Sequence, residues 1–452
     1  MAIDLTLKEA AGLFPPPPDL LDRHAYYHGK HTVPELTAPR IDGRRKTQDK
    51  MTWVRYIVQR HVGFLTSRPV TYLPVGDDRT GVDTLAALYR QRNLAENDGA
   101  LLSDAILYGY AVEVLAMRGT GFPSLVATPA LEWRLVHDDL GAVVAAVRCV
   151  KISKGSWHEG KMLAADTDLF TLYTDSEVVR FDRTKGDNGA MVERELTRAK
   201  HEWGVVPVVE YRALASGRSF ISDALLRKCD NYDVSRSSLV DEIKYNVDAL
   251  LVTEGVDYQQ LLEKDEHGRS VLEKLKAVGL FPLPKDAKAS YLQRTLDVEK
   301  FRFDQKATRA EIHLMGCLPD LDETIAGNEG TITSISGVAL KLMFHLMLEQ
   351  AAEFSRNFSR GLRARIELLD RLAQFGRPAI GDVEIQLNQN LPFADTEMLQ
   401  YLPNLDGLLS REDRLRLLPF VPDARAAADR AAAETPLPVD RASSTTLEGS
   451  DA

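Results

Sequence analysis

The first candidates for a functional site in this sequence are histidine side chains. Three histidines, His24, His28 and His31, lie close together near the N-terminus. Imidazole is a common zinc ligand, but a zinc site needs further ligands at fixed geometry, and none is evident nearby. We therefore interpret these histidines as separate side chains rather than as a metal cluster.

Carboxylates and thiols give no stronger indication of a site. The acidic segment 320–323 could hold a cation, but a solvated acidic turn is the commoner explanation for such a segment. Cys149, Cys229 and Cys317 lie far apart, and their odd number and spacing fit neither a disulfide framework nor a zinc site. We expect free, buried thiols, with no metal and no cofactor.

Motifs for common enzyme classes are missing from the sequence. It has no phosphate-binding Gly-x-x-x-x-Gly-Lys-Ser/Thr loop, no dinucleotide fingerprint, no Gly-x-Ser-x-Gly elbow and no His-Glu-x-x-His pair. The nearest glycine-rich segment, 327–337, lacks the following Lys-Ser/Thr and is not preceded by an apolar strand. We interpret it as a structural or gating loop, and we expect no enzyme activity.

Length and charge limit the possible functions. The 452 residues suffice for two or three domains or for one large irregular subunit. The net charge is −10, whereas a protein that grips DNA is usually basic, because phosphate contacts supply the affinity. If DNA is a partner, we expect it to pass through rather than to be tightly held. We expect neither a signal peptide nor a membrane span.

The N-terminal region contains an unusual proline run. Pro15 to Pro18 favour polyproline II and argue against a helix, so we predict that residues 1–24 form an arm rather than core. A flexible terminus and an arm lying on a neighbour are both open interpretations. A helix is predicted over 47–63, because Trp53, Ile57 and His61 recur at helical spacing and Gly63 could end it.

The next part of the chain, up to about residue 212, is predicted to be rich in strands. Helices are expected at 85–92 and 100–108. The predicted strands, joined by hairpin or meander connections, are 70–73, 111–117, 124–127, 143–151, 168–173, 178–182 and 208–211.

The second half is predicted to be mainly helical, so we assign an α+β fold. Long helical patterns cover 222–251, 298–315 and 338–375, and the last of these is about ten turns long. The remaining predicted elements are a helix at 258–278, strands at 291–295 and 383–388, short helices within 396–433, and a disordered tail after that.

Six short segments, in this order, resemble the portal proteins of tailed bacteriophages, specifically the family typified by the Bacillus siphophage portal. They are Tyr26–Gly29, Gly63–Tyr72, Asp104–Ala111, His201–Val209, Asp230–Ser235 and Ser336–Lys341. The resemblance spans about residues 25–425. The loop before Ser336 departs from the family, because it contains Asn-Glu-Gly-Thr-Ile-Thr where a shorter Gly-Asn step is expected.

This resemblance implies a portal fold with a mixed α/β wing, a two-helix stem, a small α/β clip, a long helix and a helical crown. The implied parts are the N-terminal arm 1–24, wing 25–229, stem helix 230–250, clip 251–297, second stem helix 298–317, tunnel loop 318–336, long helix and wing return strand 337–390, crown 391–433 and disordered tail 434–452.

The resemblance also implies where DNA would pass. Tunnel-loop residues Asn328, Glu329, Thr331, Thr333 and Ser334 would line the narrowest part of the channel. Channel-facing candidates on the second stem helix are the cations Lys300, Arg302, Lys306 and Arg309. For each cation, contact with DNA, contact with a neighbour and plain solvation are open interpretations.

A portal of this family forms a homo-oligomeric ring, usually a dodecamer in the virion, at one capsid vertex. Double-stranded DNA is packaged and ejected through it. The implied partners are the terminase large subunit, the head-completion adaptor, and the major capsid and scaffolding proteins, and assembly would occur in the host cytoplasm. The alternatives are another head–tail connector or capsid subunit, or a packaging enzyme such as a nuclease or ATPase.

Overall fold

The structure is a computed structural model. It describes residues 5–37, 45–76, 78–116, 123–152, 156–158, 161–163, 167–185, 191–247, 250–254, 288–292, 298–320, 342–371, 379–387, 405, 408–416, 418, 421 and 424–433.

Helices and antiparallel strands alternate irregularly along these residues, which confirms the predicted α+β class. The helices are α1 (Leu7–Gly12), α2 (Pro18–Tyr27), α3 (Pro34–Thr37), α4 (Trp53–Thr66), α5 (Thr80–Arg92), α6 (Leu94–Tyr108), α7 (Asp223–Val247), α8 (Val298–Met315), α9 (His345–Arg371), α10 (Arg411–Arg416) and α11 (Ala424–Ala433).

The strands are β1 (Thr71–Pro74), β2 (Ala111–Ala116), β3 (Ser124–Thr128), β4 (Trp133–His137), β5 (Val143–Ile152), β6 (Ser156–His158), β7 (Lys161–Leu163), β8 (Thr167–Tyr173), β9 (Glu177–Lys185), β10 (Met191–Lys200), β11 (Val208–Tyr211), β12 (Leu250–Glu254), β13 (Lys288–Leu292) and β14 (Val383–Gln386).

The chain divides into two compact units. The first contains Met1–His28, Trp53–Ser222 and Leu314–Ala452, and the second contains Gly29–Thr52 and Asp223–His313. In the first unit a five-stranded sheet has the order β10-β9-β8-β5-β4, and a three-stranded sheet has the order β11-β2-β3. The meander β8-β9-β10 confirms the predicted hairpin connections.

Strand β5 shows that the middle of the five-stranded sheet is buried on both faces. Successive side chains on a strand point to opposite faces. Val147 packs in a cluster with Phe170 and Phe181, whereas the adjacent Ala146 packs in another cluster with Trp133. The two phenyl rings stack at 5.0 Å. The sheet is therefore a central layer of the first unit.

Helix α1 lies against the first of these faces. Ala10 and Ala11 are fully buried in the cluster around Phe170. Thr6 and Glu9 form a capping box at the N-terminus of the helix. The expectation that this segment is an arm rather than core was wrong for these residues, because small apolar side chains let the helix approach the sheet closely.

The interpretation that the proline run argues against a helix was wrong at Pro18, and the predicted bounds of the next helix, 47–63, were also wrong. Pro18 begins α2, because proline at the first position of a helix has no N–H bond to lose. Helix α4 begins at Trp53 rather than at 47 and continues past Gly63 to Thr66. Residues 47–52 form no helix, and backbone N–H groups of this segment bond to side chains of α7.

The long helix α9 is held to the first unit by a buried arginine. Arg365 is fully buried, and its Nε and Nη2 donate to Glu113 of β2 at 2.7 and 3.0 Å. Nη2 also donates to Asp98 of α6 at 2.7 Å, and Nη1 donates to the hydroxyl of Tyr89 on α5 at 2.9 Å. Tyr211 of β11 donates to the same Glu113 carboxylate. One guanidinium thus bonds α9 to three other elements, and the shared Glu113 carboxylate adds β11 to the cluster.

A glycine allows α9 to approach this closely. A Cβ at Gly361, one turn before Arg365, would lie 2.3 Å from the ring of Tyr211. The same ring packs on Phe358 at 5.1 Å. Backbone contact between helix and sheet is therefore needed to place Arg365 among its partners.

The second unit contains α3, α7, α8 and the antiparallel hairpin β12–β13, with Leu250 opposite Leu292. Helix α8 matches its predicted range of 298–315 at both ends. The strand predicted at 291–295 is observed three residues earlier, as β13. The helix predicted at 258–278 lies outside the described residues, as does the tail after 433.

The buried arginine gives the first testable prediction. Arg365→Leu should lower the free energy of unfolding by about 3–5 kcal/mol, because it leaves two buried carboxylates without their cation. Arg360→Leu, at an exposed position five residues earlier on α9, should change it by less than about 0.5 kcal/mol. Chemical denaturation of the full chain measures both values. Equal effects of the two substitutions would contradict the assigned role of Arg365.

Candidate functional site

The predicted tunnel-loop residues, Asn328, Glu329, Thr331, Thr333 and Ser334, lie outside the described residues, so their role stays a prediction. The structure describes Gly316 and Cys317, which lead into the loop, the first loop residues, 318–320, and the helix that follows the loop, α9. The candidate site therefore consists of the residues on either side of the loop and the two predicted stem helices.

The segment leading into the loop is bonded to α4. His61 is fully buried, and its Nε2 donates to the carbonyl oxygen of Gly316 at 2.8 Å. Just after α8 ends, Cys317 has a left-handed φ of 50°, and its N–H donates to the Leu314 carbonyl at 3.1 Å. A left-handed conformation is uncommon for a residue other than glycine. The chain thus turns sharply at a point fixed by a side chain from another helix.

Aromatic rings enclose His61. The imidazole lies edge-on to Phe220 and to Phe354 of α9, with 5.4 Å between centroids in both pairs, and those two phenyl rings are 5.2 Å apart. Burial lowers the pKa of His61, and the bond to the Gly316 carbonyl only partly opposes this. The imidazole is therefore neutral at pH 7, with its proton on Nε2.

The four predicted stem cations lie on α8. Arg302, Lys306 and Arg309 follow one side at i, i+4 and i+7, and Lys300 lies on the opposite side because it precedes Arg302 by two residues. Arg302 also pairs with Glu299 at 3.2 Å in an exposed position. The helix therefore groups three of the four cations, and which of them face DNA stays a prediction.

The other predicted stem helix, α7, is held by a ladder of hydrogen bonds. Its side chains Asp233, Ser237 and Asp241, one turn apart, accept from the backbone N–H of Met51, Asp49 and Thr47 respectively. The distances are 3.0 Å to Asp233, 3.0 Å to Ser237 and 3.2 Å to the nearer oxygen of Asp241.

The spacing of this ladder has a simple geometric cause. Two residues of extended chain span about 6.6 Å, and four residues of helix rise about 6.0 Å. Alternate N–H groups of the segment 47–51 therefore meet successive turns of α7. His31 adds a buried bond to Asp233, at 3.0 Å from Nε2. The ladder fixes the register of α7 against this segment.

The histidines and cysteines make no metal site among the described residues, where no three ligand side chains come together. His24 bonds the hydroxyl of Tyr108 through Nδ1 at 2.7 Å, whereas His31 bonds Asp233. All three cysteines are free. Burial raises the pKa of the Cys149 thiol to about 12 and also raises the pKa values of the thiols of Cys229 and Cys317, so all three are poor nucleophiles.

The family model "Phage portal protein, SPP1 Gp6-like" matches residues 18–436, which is most of the chain. The chain belongs to this family of phage portal proteins. The resemblance inferred from the six segments is thus confirmed, and with it a structural role in the phage particle. No helix within the described ranges is long and apolar enough to cross a membrane.

Solved structures with a similar chain come from gene transfer agent (GTA) particles. The portal chain is 15% identical to a chain in "Neck of empty GTA particle computed with C6 symmetry", with coverage of 92% of this chain and 98% of that one and a TM-score of 0.49. It is 14% identical to a chain in "Neck of native GTA particle computed with C12 symmetry", with coverage of 89% and 93% and a TM-score of 0.45. A search of curated proteins gave no match.

The sequence predicted helices at α7 and α8 but not the contacts that hold the described parts of the site. His61 was recognised only as one position of an apolar helix face. The spacing of Asp233, Ser237 and Asp241 at i, i+4 and i+8 was a usable signal for a polar face on α7. The bond from His61 to Gly316 had no such signal, because 255 residues separate the two.

The buried imidazole predicts a pH dependence. Because the pKa of His61 is lowered in the folded chain, the unfolded state takes up the proton first. Stability is therefore fully present above the unfolded value of about 6.5 and is lost as pH falls through and below it. We expect the free energy of unfolding of the wild type to fall between pH 7 and pH 5, with at most about 1.4 kcal/mol per pH unit coming from this group.

His61→Gln is the matched variant, because a glutamine amide can donate to Gly316 but does not titrate. Denaturant unfolding at pH 5, 6 and 7 should give a shallower pH dependence for this variant. An unchanged slope would show that His61 does not titrate as a buried neutral group.

Proposed function

We propose that this portal chain assembles into a homo-oligomeric ring, dodecameric in the virion, at one vertex of the capsid. Double-stranded DNA enters through the ring during packaging and leaves through it during ejection. The family match over residues 18–436 is the observation that carries the proposal. The chain acts as a conduit without chemistry of its own, and a separate motor supplies the energy.

The charge of the predicted channel helix supports loose contact with DNA. Helix α8 carries four cations and three carboxylates; the latter are Glu299, Asp304 and Glu311. Because affinity for DNA grows with each phosphate that a cation neutralises, unopposed cations would slow a moving duplex. Interspersed carboxylates weaken this attraction, and the net charge of −10 acts in the same direction.

Exposed apolar side chains on α8 support contact with neighbouring copies. Phe303 is 75% exposed and Leu314 is 62% exposed. They are eleven residues apart, which is close to three helical turns, so they lie along one side of the helix. Single exposed apolar side chains are common on protein surfaces, so these two gain significance only from the proposed ring, in which each subunit presents an interface to its neighbours. In the proposed ring, this face packs against the next subunit.

The proposed assignment of parts follows the order of the chain. Stem helices 230–250 and 298–317 surround the channel, and the tunnel loop 318–336 lines its narrowest part. The clip 251–297 binds the terminase large subunit during packaging and the head-completion adaptor afterwards. The wing and crown meet the major capsid and scaffolding proteins, and rings assemble in the host cytoplasm before they enter the virion.

The predicted ring contact can be tested on α8. Phe303→Asp should leave the fold of the subunit unchanged but abolish rings, because a buried carboxylate at the interface would lack a partner. Phe303→Leu is the control and should still assemble. Size-exclusion chromatography with light scattering measures both. Normal rings from the aspartate variant would place the interface elsewhere.

The proposed position of the tunnel loop in the channel can be tested by changing the charge of the loop. Glu329→Lys should lower the DNA content of particles at least several-fold while rings still form, because a circle of added cations would hold the phosphates. Glu367→Lys makes the same charge change at an exposed position of α9 and should package normally. Particle DNA measured by nuclease protection gives the result. Normal packaging by Glu329→Lys would argue that this loop does not line the channel.

A further inference from the structure

The contact between His61 and Gly316 is more than core packing. A polar group in an apolar environment costs free energy unless it is hydrogen-bonded. Phe220 and Phe354 enclose the imidazole, and within the described residues its Nδ1 has no hydrogen-bond partner. A phenyl ring is also planar and aromatic but has no group that can donate a hydrogen bond. The one thing that the imidazole adds is the bond from Nε2 to the carbonyl of Gly316.

That bond lies beside a backbone conformation that must be held in place. A left-handed residue other than glycine costs free energy and persists only where several contacts fix it. At Cys317 these contacts are its own N–H bond to Leu314, its Sγ lying 3.9 Å from Oε1 of Gln350 on α9, and the fixed carbonyl of Gly316. The next residue, Leu318, is buried. The chain therefore enters the segment 318–336 from one defined point and direction.

We propose that His61 is the positioning residue for the predicted tunnel loop. Its hydrogen bond to Gly316 fixes the start of the loop relative to α4 and α9, so that every subunit of the ring begins its loop at the same position. The fixed start follows from the contacts of the described residues alone. Its consequence for DNA rests on the proposed function.

Three variants of the full chain separate positioning from general stability. His61→Phe keeps an aromatic ring but loses the donor, and His61→Gln keeps a donor. Val147→Ala is the control, since it removes buried packing from the five-stranded sheet of the same unit. Hydrogen–deuterium exchange of assembled protein would be followed at the amides of residues 314–318.

We expect His61→Phe to speed exchange of the Cys317 amide at least tenfold, while exchange in β5 and β8 stays at the wild-type rate. His61→Gln should restore slow exchange at Cys317. Val147→Ala should show the reverse pattern, with changes in the sheet and none at 314–318. The proposal is overturned if His61→Phe leaves the Cys317 amide unchanged, or if Val147→Ala affects it equally.

The wild-type protein provides a test that does not depend on whether a variant folds. Its Cys317 amide should exchange about as slowly as amides in the buried middle of α9, near Phe354 and Phe358. Exchange as fast as in exposed residues would overturn the fixed start of the loop, whatever the variants do.

DNA packaging distinguishes this proposal from the function on which it rests. Particles carrying His61→Phe should form rings but hold several-fold less DNA, with recovery in His61→Gln. If exchange at Cys317 changes while the DNA content stays normal, the fixed start of the loop is supported. The role of the loop in DNA passage is then rejected. Unchanged exchange with reduced DNA content would reject His61 as the positioning residue.

Discussion

The ionic cluster around Arg365 is the interaction on which the first unit depends. One buried guanidinium bonds carboxylates from α6 and β2 and a hydroxyl from α5. Burying these charges is expensive, and apolar residues of the same volume often give equal stability. What the cluster adds is geometry, because a planar guanidinium meets Glu113 through two nitrogens in only one orientation. It thereby fixes both the rotation and the height of α9.

Polar contacts also fix the position of the chain at two other places. The ladder on α7 sets the register of a helix against an extended segment, and His61 sets the point at which the chain leaves α8. Apolar packing tolerates small sliding, whereas a hydrogen bond to one atom does not. A subunit that repeats around a DNA channel, as proposed for this chain, would need its helices and loop in the same place in every copy. We interpret these polar contacts as the means by which each subunit achieves this.

The sequence predicted some elements at their observed ends. Strand β11, predicted at 208–211, is observed there with three of its four residues buried. Both ends of α8 were also predicted correctly, although Gln305 and Thr308 are polar residues on its inner side. The edge strand β10 was missed because most of its side chains are exposed, so it has no alternating pattern. Helix α2 was missed because a proline run is ambiguous between polyproline II and the first turn of a helix.

The buried polar contacts that hold the fold and the candidate site could not be predicted in the same way. Arg365 lies in a helix with many other charged residues, and nothing in its local sequence distinguishes it from exposed neighbours such as Arg360. Its partners lie more than 250 residues away. Only the fold brings such residues together. The family resemblance, by contrast, was visible in short motifs, since glycines and aromatic residues at turns such as Gly109 are required locally.

The most direct test of this account is imaging of the purified full-length chain by negative-stain electron microscopy, with its mass measured by light scattering. The account predicts closed rings of many copies with a central channel wide enough for duplex DNA. Stable monomers or dimers, or closed shells without an axial channel, would contradict it.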